Sequence, residues 1–213
     1  MKTRLIAVDP KTPQVDVIRQ AVDVLRRGGL VAFPTDTLYA LGADALDPAA
    51  VERVLTVKGR QHGKPLSILL PSVESAARLA RDLPEGLCPL MEAFWPGALT
   101  LVVRAAPFLP EPLNAATGTI GLRMPGGPVA QAILKAFGGP IIGTSANKAG
   151  GADPADAKAV QRSVGGQIDL ILDGGRVALG VPSTVLDCTV APARILREGA
   201  VSRAALEQAM PLG

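Results

Sequence analysis

Hydrophobic residues recur along the chain in two alternating patterns. Short runs of apolar and often β-branched residues predict buried strands at 5–8, 30–33, 66–70, 98–104, 119–123 and 140–142, and near Leu170, Val185 and Ile195. Between these runs, apolar residues at helical spacing, such as Val15, Ile18, Val22 and Leu25, predict amphipathic helices. Because strands and helices alternate and no repeat or long linker divides them, we expect one α/β domain with a large mixed sheet.

Capping residues predict where several helices begin. Asp47 is followed by a proline, and a capping carboxylate with a first-turn proline should open a helix that runs to about Lys58. Asp153 is also followed by a proline, which predicts a second helix start of the same kind, and Ser202 should cap the last helix. Further helices are expected over 73–83, 87–94 and 129–137.

Composition indicates a globular protein with a single core. Its 213 residues are 48% hydrophobic, which is enough to fill one domain. The longest apolar runs, such as 68–70 and 99–103, are far too short to cross a bilayer. Residues 1–4 lead straight into the first predicted strand without a signal peptide. We therefore expect a cytoplasmic protein without membrane contact, in which Cys88 and Cys188 form neither a disulfide nor a zinc site.

Charge and aromatic content bear on the class of ligand. The net charge is +3, and no stripe concentrates the basic residues, whereas a dedicated nucleic-acid-binding domain usually has one. One Trp, one Tyr and four Phe provide few surfaces on which bases could stack. This composition suits an anionic small molecule better than a single-stranded nucleic acid.

The sequence lacks the motifs of several common catalytic schemes. The one histidine, His62, stands among Lys58, Arg60 and Lys64 in the run KGRQHGK, so a Ser-His-Asp triad would depend on a single loop residue. Neither GxGxxG nor the GxxxxGKS/T phosphate loop occurs, which removes the usual dinucleotide and nucleoside-triphosphate fingerprints. The chemistry must therefore rely on other groups.

The cations of KGRQHGK allow two interpretations. Positive charges at the end of a helix interact favourably with its dipole, which accounts for one or two of them. Three cations within seven residues, with Gly59 and Gly63 opening the backbone, also suit an anion-binding loop. Spacing alone leaves both interpretations open.

Three other segments place polar side chains beside predicted strands. In GGPIIGTSAN, residues 138–147, a buried strand leads to hydroxyls and an amide that can form a turn or bind a ligand at the sheet edge. In FPTDTLYALGADA, residues 33–45, the side chains of PTDT can likewise close a turn. In TIGLRMP, Thr119 and Arg123 share a strand face. That arginine can clamp a carboxylate or phosphate, or pair with an internal Asp.

The order and content of these segments resemble the YrdC-type threonylcarbamoyl-adenylate synthases. The resemblance rests on PTDT, KGR with KPL, FWPGALTLV, GTIGLRMP, GTSAN, PSTVLD and ILREG, and it covers about residues 15–200. It implies a single open, twisted, mixed sheet flanked by helices around a concave, positively charged site. It also implies one YrdC-like domain over residues 1–213, without the carboxyl-terminal extension domain of longer relatives.

The resemblance implies an activity as well. Such enzymes join L-threonine, bicarbonate and ATP into threonylcarbamoyl-adenylate and release pyrophosphate. Mg²⁺ would arrive with ATP, without a dedicated protein metal site. The product would pass to a separate complex that modifies tRNA, and the resemblance also allows weak binding of tRNA by this chain.

Matching motif positions imply roles for individual residues. The catalytic residues would be Lys58, Arg60, Ser145 and Asn147. L-threonine would be bound by Thr35, Arg123 and Gly143. ATP would be bound by Arg60, Lys64, Thr119, Ser145, Asp153, Ser183 and Arg197. These roles require no activated nucleophile, because the amine of threonine and the carbamate made from it are the attacking groups.

Two positions depart from the family's pattern, and two other classes of function stay open. Leu69 and Gly127 stand where some relatives have histidine. An RNA-binding module would use the same basic concavity for a phosphate backbone, and its affinity would fall with salt. A regulatory paralogue would bind nucleotide without turnover.

Overall fold

Two open β-sheets form the framework of the protein in the computed structural model, which describes residues 2–59 and 65–213. In spatial order, the five-stranded sheet consists of β1 (Arg4–Ala7), β9 (Leu170–Asp173), β2 (Val31–Pro34), β3 (Tyr39–Gly42) and β8 (Thr144–Ser145). The six-stranded sheet consists of β11 (Arg194–Arg197), β10 (Thr184–Asp187), β5 (Leu99–Arg104), β6 (Thr119–Arg123), β4 (Ser67–Leu69) and β7 (Ile141–Ile142). Both sheets mix parallel and antiparallel pairs.

Helices flank these sheets. They are α1 (Val15–Arg26), α2 (Pro48–Lys58), α3 (Glu74–Leu79), α4 (Cys88–Phe94), α5 (Glu111–Asn114), α6 (Pro128–Phe137), α7 (Ala157–Val164) and α8 (Arg203–Glu207). α1 and α6 pack side by side against the five-stranded sheet and share a core with its strands β2 and β9. The α/β class with open sheets and flanking helices is therefore confirmed. None of the helices in the described ranges is long and apolar enough to span a membrane.

The sequence predicts one sheet, whereas the strands group into two sheets that meet at β7, where the Ile142 amide donates to the Ala43 carbonyl at 2.8 Å and Ile141 pairs with Asp44. β7 pairs antiparallel with β4 of the six-stranded sheet, whereas β8 pairs antiparallel with β3 of the five-stranded sheet. A Cβ atom at Gly143 would overlap the side chain of Leu69. Glycine thus lets the chain cross between the two sheets, and a hydrophobic pattern does not reveal such a crossover.

Helix starts show which capping predictions hold. Asp47 accepts a hydrogen bond from the amide of Ala49 at 2.9 Å, and α2 ends at Lys58 with Gly59 in the left-handed region at φ 62°, so this prediction is confirmed. Ser202 caps α8 as predicted.

The helix start predicted at Asp153 is wrong, because Asp156 caps α7 and the helix begins at Ala157. The carbonyl of Pro154 instead accepts a hydrogen bond from the amide of Tyr39 at 2.9 Å. This long-range contact ties the segment to β3, so the residues after Asp153 do not turn into a helix.

Candidate active site

A cavity of about 630 Å³ opens on one face of the six-stranded sheet. Its floor consists of alternate residues of neighbouring strands, namely Ser67 and Leu69 of β4, Thr100 and Val102 of β5, Thr119, Gly121 and Arg123 of β6, and Val185 and Asp187 of β10. The intervening residues, such as Leu101 and Ile120, are part of the core. A cavity of this size suits a small-molecule ligand.

Gly121 keeps the centre of this floor open. It lies opposite Val102 on one side and Ser67 on the other. A Cβ atom at this position would lie 3.0 Å from Ser67 Oγ and 3.0 Å from Thr100 Cγ2. A larger residue would therefore displace these neighbours or fill the cavity.

Most of the residues singled out in the sequence border this cavity. They are Thr35, Thr119, Arg123, Gly143, Ser145, Asp153, Ser183 and Arg197. Lys58 and Asn147 contact Ser145 but do not border the cavity themselves. Arg60 and Lys64 lie outside the described residues. The structure thus brings together positions from six separate motifs, and the individual roles assigned to them stay predictions.

Ser145 is held at the cavity wall by a buried network. Lys58 is 1% exposed, and its ammonium donates to the Ser145 carbonyl at 2.6 Å and to Asn147 Oδ1 at 3.0 Å. The hydroxyl of Ser145 lies 3.3 Å from the same ammonium and donates to Asn147 Oδ1 at 2.6 Å. Asn147 is fixed in turn because its Nδ2 donates to the carbonyls of Gly151 and Ala152. A buried positive charge therefore stands directly behind the serine.

Arg123, the last residue of β6, is clamped by three hydrogen bonds. Its Nη2 donates to Asp36 Oδ1 at 2.5 Å, its Nη1 to Thr37 Oγ1 at 2.8 Å and its Nε to the Gly97 carbonyl at 2.8 Å. The internal carboxylate pair that the sequence left open is thus present. A guanidinium has five N–H donors, so the same fork can also meet an anion in the cavity that it borders. Burial lowers the pKa of Arg123, the charge of Asp36 opposes this shift, and an arginine stays cationic at neutral pH.

The PTDT segment forms the turn that presents Asp36 to Arg123. The hydroxyl of Thr35 donates to the Leu38 carbonyl at 2.7 Å and accepts from the amide of Thr37 at 3.1 Å. Its hydrogen bonds therefore close the turn, which is the commoner use of such a residue. The carboxylate of Asp36 also accepts from the amide of Gly126 at 3.1 Å, so the turn is joined to the segment that follows β6.

Leu69 and Gly127 are both tightly packed. Leu69 fills the space beside Gly143. A Cβ atom at Gly127 would lie 3.1 Å from the Asp36 amide nitrogen and 3.1 Å from the Thr35 carbonyl carbon. The backbone after β6 thus lies directly against the PTDT turn.

The third cationic group at the cavity is Arg197 on β11. Its Nη2 donates to the Ser183 carbonyl at 2.9 Å, and the Ser183 hydroxyl lies 2.9 Å from that of Thr100. Burial lowers the pKa of Arg197, and the negative charge of Asp153 opposes this shift. This end of the cavity therefore combines a guanidinium with two hydroxyls.

Sequence reasoning missed several residues of the site. Tyr39 lies beneath the cavity, where its hydroxyl donates to the Gly175 carbonyl at 2.7 Å and accepts from the amide of Gly174 at 3.1 Å. Ser67, Thr100 and Asp187 are further residues of the floor that had not been identified. A polar residue at alternate positions of an apolar strand, as at Thr100, is the sequence signal that indicates such a face.

Metal-binding groups are sparse in this site. Within the ranges that the structure describes, no group of three or more His, Cys, Asp or Glu residues is placed to hold a metal ion. The carboxylates that border the cavity are Asp153 and Asp187. Burial acts to raise the pKa of Asp187, but hydrogen bonds from Thr189 and Arg194 outweigh it, so the pKa is lowered.

These features define an α/β protein with a small-molecule site on a sheet face, lined by clamped cations and hydroxyls. A family model described as "Telomere recombination", for Sua5, YciO and YrdC proteins, matches residues 23–199. The match covers more than half of the chain, and the chain belongs to this family. The resemblance recognised from the sequence motifs is thus confirmed.

Similar proteins extend this result. Threonylcarbamoyl-AMP synthase of Pyrococcus abyssi is 40% identical over 191 residues, which are 90% of this chain and 56% of the relative. The crystal structure of P. abyssi Sua5 complexed with L-threonine has a TM-score of 0.94 and 38% identity, over 97% of this chain and 61% of that chain. The crystal structure of Escherichia coli YciO has a TM-score of 0.86 and 29% identity, over 94% of this chain and 97% of that chain. The chain thus spans little more than half of the P. abyssi relative and nearly all of YciO.

Proposed function

We propose that the protein is an L-threonylcarbamoyladenylate synthase, which makes threonylcarbamoyl-AMP and pyrophosphate from L-threonine, bicarbonate and ATP. The observation that carries this proposal is the placement of three cationic groups around one cavity: Arg123 on β6, Arg197 on β11, and Lys58 behind Ser145. The reaction involves the carboxylate of L-threonine, the carbamate formed from it and the triphosphate of ATP, so it requires separate anion-binding points. Similarity to a protein named threonylcarbamoyl-AMP synthase and to a Sua5 structure with L-threonine supports the proposal.

In this proposal, Arg123 binds the carboxylate of L-threonine. A guanidinium fork matches a carboxylate in shape and charge, and Asp36 and Thr37 fix the fork in one orientation. The amine of threonine combines with the carbon of bicarbonate to form a carbamate, with loss of water. A carbamate oxygen then attacks the α-phosphorus of ATP, and the bond from that phosphorus to the bridging oxygen breaks to release pyrophosphate. The protein supplies positioning and charge stabilisation.

Lys58 and Ser145 stabilise the phosphates in this scheme. The Ser145 hydroxyl rotates away from Asn147 to donate to a phosphate oxygen, while the ammonium of Lys58 remains beside it. A buried positive charge interacts strongly with charge that develops nearby, because the surrounding dielectric constant is low. On the strength of their motif, Arg60 and Lys64 would add positive charge to the phosphates, and Thr119, Ser183, Asp153 and Arg197 would hold the nucleotide.

Mg²⁺ would enter with ATP and would offset the negative charge of the phosphates. This ion usually keeps several waters and takes only one or two protein carboxylates. The sparse carboxylates of the cavity, Asp153 and Asp187, fit that pattern better than a dedicated site. We propose that the product leaves for a separate complex that modifies tRNA, and that the protein works in the cytoplasm, where these substrates are found.

Mass spectrometry of the product tests this proposal. The chain is incubated with ATP, Mg²⁺, L-threonine and isotopically labelled bicarbonate, and the proposal predicts threonylcarbamoyl-AMP that carries the label. Binding of ATP without this product would identify a regulatory nucleotide-binding protein instead. A chain that binds RNA in a strongly salt-dependent way and forms no product would identify an RNA-binding module.

A further inference from the structure

The face that forms the cavity floor continues beyond Thr119. In the antiparallel pair β5 and β6, Val102 lies opposite Gly121 and Arg104 lies opposite Thr119. Directly opposite residues of an antiparallel pair project from the same face of the sheet. Because Thr119 borders the cavity, the side chain of Arg104 must stand on the cavity face, one step beyond Val102.

Arg104 borders a second recess of about 520 Å³. Arg81, Asn114, Thr117, Thr119 and Thr189 also border it, and the three threonines border the main cavity as well. The backbone brings the two arginines together, because the Arg81 amide donates to the Arg104 carbonyl at 2.8 Å. The recess therefore adjoins the main cavity, and two arginines border it.

The positive charge of this recess is weakly compensated. Arg104 is exposed, and no residue of the described ranges forms a side-chain hydrogen bond or ion pair with it. Arg81 pairs with Asp82 at 3.9 Å, but both side chains are about two-thirds exposed, so the pair contributes little. Asp187 is the neighbouring carboxylate on the floor, and it already accepts from Thr189 at 2.6 Å and from Arg194 at 3.3 Å.

Neutral donors accompany the two arginines. Asn114 Oδ1 accepts from the amide of Ala116 at 2.9 Å. The Nδ2 group of Asn114 can therefore donate to a ligand in the recess. The hydroxyl of Thr119 lies 2.8 Å from that of Thr117 and can rotate towards the recess. Together, two guanidinium groups, an amide and a hydroxyl provide enough donors to bind an anion with several oxygens.

We propose that Arg81, Arg104, Asn114 and Thr119 form a second anion subsite that binds a diphosphate group, either free pyrophosphate or the phosphates of a nucleotide. Arginine forks match phosphate oxygens in geometry and charge. Thr119 and Arg123 are four residues apart on β6, or roughly 13 Å, so this subsite is separate from the carboxylate clamp. The choice of pyrophosphate rests on the proposed function, in which the subsite receives the leaving group after the phosphorus–oxygen bond breaks.

Calorimetric titration of inorganic pyrophosphate into the full chain tests this inference without any turnover. At low ionic strength, the R81Q/R104Q variant should bind pyrophosphate at least about tenfold more weakly than the parent. The matched variant R19Q/R162Q removes two exposed arginines from α1 and α7, and its affinity should stay within about twofold of the parent.

A second titration separates the subsite from the main cavity, which can also bind pyrophosphate. In a Lys58→Met background, or in Ser145→Ala if that variant does not fold, pyrophosphate binding should persist and should disappear when R81Q/R104Q is added. Loss of all binding in the single variant, or equal affinities of the parent and R81Q/R104Q, would overturn the second subsite. This result would not depend on whether the chain makes threonylcarbamoyl-AMP.

Titration with ATP identifies the source of the diphosphate group. If R81Q/R104Q weakens pyrophosphate binding and leaves ATP binding unchanged, the subsite takes the free anion. If it weakens both, the subsite holds the phosphates of the nucleotide. Either result supports the subsite, whereas weakening of neither overturns it.

Discussion

The ammonium of Lys58 lies 3.0 Å from Oδ1 of Asn147, although 89 positions separate the two residues in the chain. The contact joins the last residue of α2 to the segment that follows β8. Ser145 lies between these elements and borders the cavity. Lys58 therefore acts on the cavity through the serine that it holds.

Lys58→Met should lower the rate of threonine-dependent pyrophosphate release about a hundredfold. The substitution keeps an apolar stem of similar size but removes about 3 kcal/mol of charge stabilisation from the transition state. It should also destabilise the fold by about 1–3 kcal/mol, because Ser145 and Asn147 lose a buried donor. Steady-state kinetics and thermal unfolding measure the two effects.

Lys135→Met is the matched control, because Lys135 is an exposed lysine in the last turn of α6. It should leave both the rate and the melting temperature close to those of the parent. Near-normal turnover of Lys58→Met would contradict the catalytic role and leave Lys58 as a structural cation.

Asp36→Asn should raise the KM for L-threonine about tenfold, with a smaller change in kcat. A neutral amide accepts a weaker hydrogen bond from Arg123 than the carboxylate does, so the fork that binds threonine would be less firmly placed. Asp16→Asn, which changes an exposed carboxylate in the first turn of α1, serves as the control. An unchanged KM for L-threonine in Asp36→Asn would show that Asp36 does not position the fork.

Tyr39 should make the free energy of unfolding depend on pH in alkaline solution. Burial raises the pKa of Tyr39 to about 12, whereas a tyrosine in an unfolded chain ionises near about 10. The unfolded state therefore loses its proton first, so this contribution is fully present below about pH 10 and is lost as the pH rises towards about 12. Burial also raises the pKa of Cys188 from 9.0 to about 12, so that thiol adds a decline in stability that begins at a lower pH than that of Tyr39.

Tyr39→Phe separates the two groups, since it removes the phenol and leaves Cys188 in place. Below about pH 10 the variant should be less stable than the parent by about 1–3 kcal/mol, because Gly174 and Gly175 lose their buried partner. Above that pH the difference should shrink, which urea unfolding from about pH 8 to about pH 11 measures. A difference that stays constant over this range would contradict the burial of the hydroxyl.

Gly143→Ala should destabilise the protein by about 1–3 kcal/mol, because the new methyl group overlaps Leu69 at the crossover between the sheets. Gly86→Ala is the control, since a Cβ atom there meets no other atom within 4 Å. In the double variant with Leu69→Ala, part of the loss should be recovered, which urea unfolding of the four chains measures as a coupling energy. Strictly additive losses would contradict the close approach.

Local sequence signals, such as helix caps, predicted the fold better than signals that depend on distant residues. The cap at Asp47 and the end of α2 before Gly59 were correct, because both depend on hydrogen bonds within about one turn. The helix start at Asp153 failed because the partner that holds the next residue, Tyr39, lies far away in the chain. The division into two sheets was missed for the same reason, since strand pairing depends on distant residues.

Motif resemblance located much of the site but not its geometry. It identified residues such as Thr119 and Arg197, which do border the cavity. It did not show that Lys58 lies behind Ser145, that Asp36 holds Arg123, or that Arg104 shares a face with Thr119. These facts depend on strand order and register, which no local pattern in the sequence contains.

Pyrophosphate release from ATP tests the central claim most directly. The purified chain is supplied with ATP and Mg²⁺, and L-threonine and bicarbonate are added separately and together. A synthase of the proposed kind should release pyrophosphate only when both are present, because the attacking carbamate needs both to form. Equal release in the absence of either one would contradict the account.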